Sequence, residues 1–121
     1  MAREVPDLRP GVVRVLRLLS SPEEQLEYER RVPGVSVPTE LLSQWFDDLY
    51  IPESSSFRLC FSSQEMGALA AFNNYFADRE KLLPPPRDGI KTWIEDGVWQ
   101  GIVREASRAL SAMEDEPARQ E

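Results

Sequence analysis

Proline spacing is the strongest constraint on what this chain can fold into. Its ten prolines include Pro10, Pro22, Pro33, Pro38, Pro52 and the triplet Pro84-Pro85-Pro86. A proline ring fixes φ and removes an N–H, so the first turn of a helix admits it and the interior excludes it. These positions therefore read as helix starts and stops, and they cut the chain into short elements.

The first element runs from Pro10 to about Ser20, where Val12, Val15, Leu16 and Leu19 share one helical face and Arg14 and Arg17 point away. The valines would also suit a strand, but the arginine spacing favours a helix. Ser21-Pro22-Glu23-Glu24 is a capping signal for a second helix to about Arg31, whose only large apolar residues are Leu26 and Tyr28. Pro33-Gly34 closes it with a turn.

Pro38 to Tyr50 carries the clearest helical period. Leu41, Leu42, Trp45, Phe46, Leu49 and Tyr50 fill one side, with Glu40, Gln44, Asp47 and Asp48 on the other. Phe57 to Phe61 alternates apolar and other residues, which predicts a short strand or extended segment, paired with 35–37 or with another chain. A second capping box, Ser62 to Glu65, opens a helix to about Lys81, burying Leu69, Phe72 and Phe76. The proline triplet reads as a stiff connector. A short turn of helix at Ile90, Trp93 and Ile94 precedes a final one, in which Trp99, Val103, Ala106, Leu110 and Met113 recur at three- and four-residue steps. The expected fold is mainly α: one domain over 1–121, an irregular bundle of five or six helices with one short extended segment or minimal strand pair, and a disordered polar tail over 114–121.

Hydrophobic residues make up 41% of the chain, enough for a modest core. No histidine is present, which removes Ser-His-Asp and Cys-His catalysis and leaves no side chain with an ordinary pKa near 7. The single Cys60 forbids an intramolecular disulfide and a Cys/His zinc cluster, and between Leu59 and Phe61 it reads as a small buried hydrophobe. Asp47 and Asp48 are neighbours on a helix and diverge by about 100°, so they do not form an acid/base pair across a cleft. Glu65 and Asp96 are explained as caps. No phosphate-binding glycine loop occurs. No cofactor and no metal are expected.

The charge is placed unevenly. The net charge is −7, yet residues 1–37 hold six acids and six bases and are neutral. Residues 38–56 hold four acids and no base, and residues 88–121 contribute another −4. Nucleic acid and anionic membrane surfaces attract the opposite sign, so neither is an expected partner. The absence of a signal-like or membrane-length apolar run leads to the expectation of a cytoplasmic protein.

Three function classes follow. The first is a non-catalytic acidic interaction module, such as an immunity or antitoxin-type inhibitor or an accessory subunit. It would dock a basic protein through Glu40, Asp47, Asp48, Glu53 and Tyr50. The second is a small-ligand-binding helical domain with an aromatic pocket made by Trp45, Phe72, Tyr75, Trp93 and Trp99. The third, with the least support, is a carboxylate-dependent enzyme. Self-association through an edge at 57–61 would make a homo-oligomer.

Overall fold

The computed structural model describes residues 7–114, and among these it contains seven α-helices and no strand. Helices α1 (Arg9–Leu19) and α2 (Pro22–Arg31) form where proline spacing placed them, each with proline in its first turn. The Ser21 hydroxyl accepts from the Glu24 N–H at 3.2 Å, which caps α2. Glu23 and Glu24 at its start and Arg30 and Arg31 at its end complement the helix dipole.

The residue that α2 buries is unexpected. Leu26 is 38% exposed, while Gln25 is fully buried. Gln25 Nε2 donates to the Leu18 and Leu19 carbonyls at 2.9 and 3.1 Å, and its Oε1 accepts from Trp99 Nε1 at 3.0 Å. These two carbonyls belong to the last turn of α1, where i→i+4 partners run out; Leu18 also accepts from Ser21 N–H at 3.2 Å. One amide thus ties the end of α1 to α2 and to the final helix.

Helix α3 (Val37–Leu42), capped by Ser36, continues without interruption into a π-helical segment, Ser43–Leu49. The i→i+5 register is set by Tyr50 N–H donating to the Trp45 carbonyl at 3.1 Å. At an α-helix's ~100° per residue, side chains 45 and 50 would diverge by roughly 140°. In the wider coil their rings lie flat on one another, with centroids 5.0 Å apart and planes 5° from parallel. Trp45 also meets Phe72 edge-on at 4.9 Å, so the segment enters the core as an aromatic wedge.

The expected strand at 57–61 is instead a helical turn. Helix α4 (Ser55–Arg58) is capped by the Ser54 hydroxyl, which accepts from Phe57 N–H at 3.3 Å. Phe57 and Phe61, four residues apart, are both buried and Leu59 is 73% exposed. Alternation would have put all three on one side; the i,i+4 pair explains the pattern better. This extra helix accounts for seven helices where five or six were expected, and it leaves no strand edge here for self-pairing.

Helix α5 (Ser63–Arg79) starts with both reciprocal bonds of the Ser62–Glu65 capping box. Buried Glu65 also receives Arg9 Nη1 at 2.6 Å, and Arg9 Nη2 donates to the Met113 carbonyl at 3.0 Å. The start of α1, the start of α5 and the end of the last helix are thereby fastened together. After two 3-10 turns and Gly89 at φ +90°, α6 (Ile90–Ile94) leads into α7 (Gly97–Glu114). Of the tail expected at 114–121, Glu114 closes α7 and the rest lies outside the described residues.

Helix α7 is central, with α5 and α1 packed against it. Its buried stripe is Trp99, Ile102, Ala106, Ala109 and Met113, rotated slightly from the expected one because Val103 and Leu110 lie at its margin. Gly101 permits the close approach of α5: a Cβ there would lie 2.5 Å from the Tyr75 hydroxyl.

Candidate functional site

A cleft of about 640 Å³ opens between α1, α2 and the π-helical segment. Its lining follows helical spacing on each wall. Helix α1 supplies Arg14, Val15 and Leu18; α2 supplies Glu24, Glu27, Tyr28 and Arg31; the π-helical segment supplies Gln44, Asp48 and Leu49. Positions 24, 27, 28 and 31 form one face of α2 at i, i+3, i+4 and i+7. The floor is apolar (Val15, Leu18, Tyr28, Leu49) and the rim is charged. Two local features shape the opening. The Gln25 amide fixes how α2 folds back on α1. Gly11 lets α1 approach the π-helical segment, since a Cβ there would be 3.2 Å from Leu49 Cδ2.

The rim's charges are unequally occupied. Glu27 pairs with Arg30 and, at 3.8 Å, with Arg31. Glu24, Asp48 and Arg14 form no ion pair among the described residues. Asp47, next to Asp48 in the π-helical segment, and Glu53 in the loop after it are exposed and likewise make no ion pair among the described residues. The cleft lining holds three acids against two arginines, a net −1 around an apolar floor, and Glu24 and Asp48 are its acids without an ion pair among the described residues.

Of the residues expected to meet a partner, Asp48 lines the cleft, and Asp47 and Glu53 are exposed without lining it. Glu40 is half-buried one turn before Gln44. Tyr50 is half-buried, stacked on Trp45 and edge-on to Phe57 at 5.6 Å, so its ring is spent inside the molecule. Burial, and then the Glu53 carboxylate, raise its phenol above the ordinary value of 10.0, keeping it neutral at physiological pH.

The expected aromatic pocket is filled by its own members. Trp45, Phe72, Trp93 and Trp99 are buried and packed in series through Phe76, with Phe76–Trp99 centroids 6.0 Å apart and Trp93–Trp99 centroids 4.9 Å apart. Their indole N–H groups are all satisfied: Trp45 by Asn73, Trp93 by the Pro84 carbonyl, Trp99 by Gln25. Tyr75 stands apart beneath the Arg79 guanidinium, 3.7 Å from its ring centroid. The cleft contains none of these five residues.

No family model, curated protein or solved structure matches this chain. Among the described residues no helix is long and apolar enough to cross a membrane, and no three potential metal ligands converge. Cys60 is half-buried, its Sγ within hydrogen-bonding distance of Leu8 N–H and the Ser56 carbonyl, and the neighbouring Arg58 reaches the Pro52 carbonyl at 2.8 Å.

Seven cleft residues from α1 and α2 lay outside the expected site: Arg14, Val15, Leu18, Glu24, Glu27, Tyr28 and Arg31. The signal was present as the charged and apolar face of α2. It was obscured because that helix has so few large apolar residues that its outward face looked merely solvated.

Proposed function

We propose that this chain is a non-catalytic interaction module that docks a basic protein at the acid-rimmed cleft. The observation that carries this reading is Asp48, which stands on the rim of an apolar-floored cleft without an ion pair among the described residues. Asp47, the exposed neighbour of Asp48, adds to the same negative field. An apolar floor supplies buried area, and rim charges steer encounter and select the partner's sign. Inhibitors that neutralise a basic toxin, and accessory subunits, work by this chemistry. Fold alone does not choose between them.

The test is affinity capture from native lysate with two baits, wild type and the Asp47→Lys/Asp48→Lys double variant, each at low and high salt. A basic protein retained by wild type, released by salt and lost from the variant is the expected result. Capture of the same protein by both baits, or of an acidic one, would contradict the proposal.

A further inference from the structure

We infer that the occupant of this cleft is an amphipathic α-helix of the partner, about two to three turns long, with leucine-like anchors flanked by lysine or arginine. This rests on the interaction reading above and adds the shape and chemistry of what is bound. The shape follows from the walls. All three are helical, so their backbone N–H and C=O groups are largely engaged within the helices and offer nothing for an added strand to pair with. An extended peptide would bury its own backbone groups unpaired in this cleft, whereas a helix satisfies them internally. The length follows from the α2 wall. Its lining residues run from Glu24 to Arg31, seven steps along the helix that rise about 10 Å at ~1.5 Å per residue.

The chemistry follows from the lining. Leu18, Tyr28 and Leu49 form a floor that accepts anchors spaced i, i+3/i+4 and i+7. Glu24 and Asp48 reach the rim from opposite walls, and neither has an ion pair among the described residues, so basic groups on both flanks of the anchor stripe are complemented. Arg14 is the rim's one cation without an ion pair among the described residues, and it opposes such a ligand. Its presence gives a prediction that a purely structural role cannot imitate. Reversing Arg14 should strengthen binding of a lysine-flanked helix.

The probes are capped helical peptides of about three turns: one with leucine anchors and lysine flanks, one with glutamate flanks, one with serine in place of leucine, and one interrupted by a central proline. Affinity would be measured by fluorescence anisotropy and the site by amide chemical shifts, on the whole chain. The expected result is binding of the first peptide with shifts at Leu18, Tyr28, Gln44 and Leu49. About tenfold weaker binding is expected for each of the other three peptides, and about tenfold loss with Asp48→Lys. Arg14→Glu should tighten the first peptide several-fold. Unchanged far-ultraviolet dichroism in both variants keeps the comparison one of binding.

Equal binding of the proline-interrupted peptide would overturn the helical occupant. Equal binding of the serine peptide would reduce the effect to surface adhesion and also overturn it. A concentration-dependent dimer that quenches the same amide signals would assign the cleft to a second copy of this chain. If the peptides fail while lysate capture still depends on Asp47 and Asp48, the inference falls and the docking function stands. If that capture is indifferent to both acids, the docking function falls with it.

Discussion

Replacing Gln25 with alanine should be one of the most damaging single changes in α2, although glutamine at a helical position ordinarily signals a solvated surface. Its amide is fully buried and makes three hydrogen bonds, two to the last turn of α1 and one from Trp99. Alanine removes all three and leaves the Trp99 N–H and the Leu19 carbonyl without this partner in a dry site. The Leu18 carbonyl suffers less, because Ser21 N–H also reaches it at 3.2 Å. Two orphaned buried groups at about 1–3 kcal/mol each set the expected loss near 3 kcal/mol. With a urea slope of about 1.5 kcal/mol/M for a chain this size, the midpoint should fall by about 2 M with the slope unchanged. Leu26→Ala is the matched control. That side chain is 38% exposed, and its loss should cost less than about 1 kcal/mol. Urea titrations followed by tryptophan emission and by dichroism measure both. A Gln25→Ala cost below 1 kcal/mol, or a Leu26→Ala cost equal to it, would refute the reasoning. A double-mutant cycle with Trp99→Phe should show coupling of about 1 kcal/mol or more.

Gly101→Ala should destabilise by about 1–3 kcal/mol, because its Cβ meets the Tyr75 hydroxyl at 2.5 Å. Chemical denaturation in a Tyr75→Phe background, which removes that oxygen, should recover most of the loss. Arg9→Ala breaks a pair with buried Glu65 and a bond to the Met113 carbonyl. Since Arg9 is itself partly exposed, a loss of about 2 kcal/mol is expected in thermal unfolding. The raised Tyr50 phenol binds its proton more tightly when folded, so stability is retained below pH 10 and declines as pH rises through the folded value. Denaturation midpoints measured from pH 9 upward should fall less steeply in Tyr50→Phe.

Much of the fold was legible in the chain because proline and serine caps are local signals. The bounds of α2 follow from Ser21, Pro22 and the Pro33-Gly34 turn, and α5 follows from its capping box. What failed depended on distant partners. Leu26 and Tyr28 were the only apolar marks on α2, and nothing local singles out Gln25, because periodicity cannot see the Trp99 indole, whose N–H meets the amide 74 positions away in sequence. The residues from Phe57 to Phe61 fit period two and period four equally; the Ser54 cap and the Phe57–Phe61 contact at 4.8 Å decided for the turn. The π register between Trp45 and Tyr50 has no sequence signature, and it turned an expected contact residue inward. The acidic stretch was visible as charge, but the cleft beside Asp48 required α1 and α2 to be placed first.

The most direct measurement of the docking account is the association rate of the captured partner as a function of ionic strength. Wild type should associate fast at low salt and slow steeply as salt is added. The Asp47→Lys/Asp48→Lys variant should be slower at every ionic strength, with a flattened salt dependence. Rates that coincide for the two proteins, and that ignore salt, would contradict it.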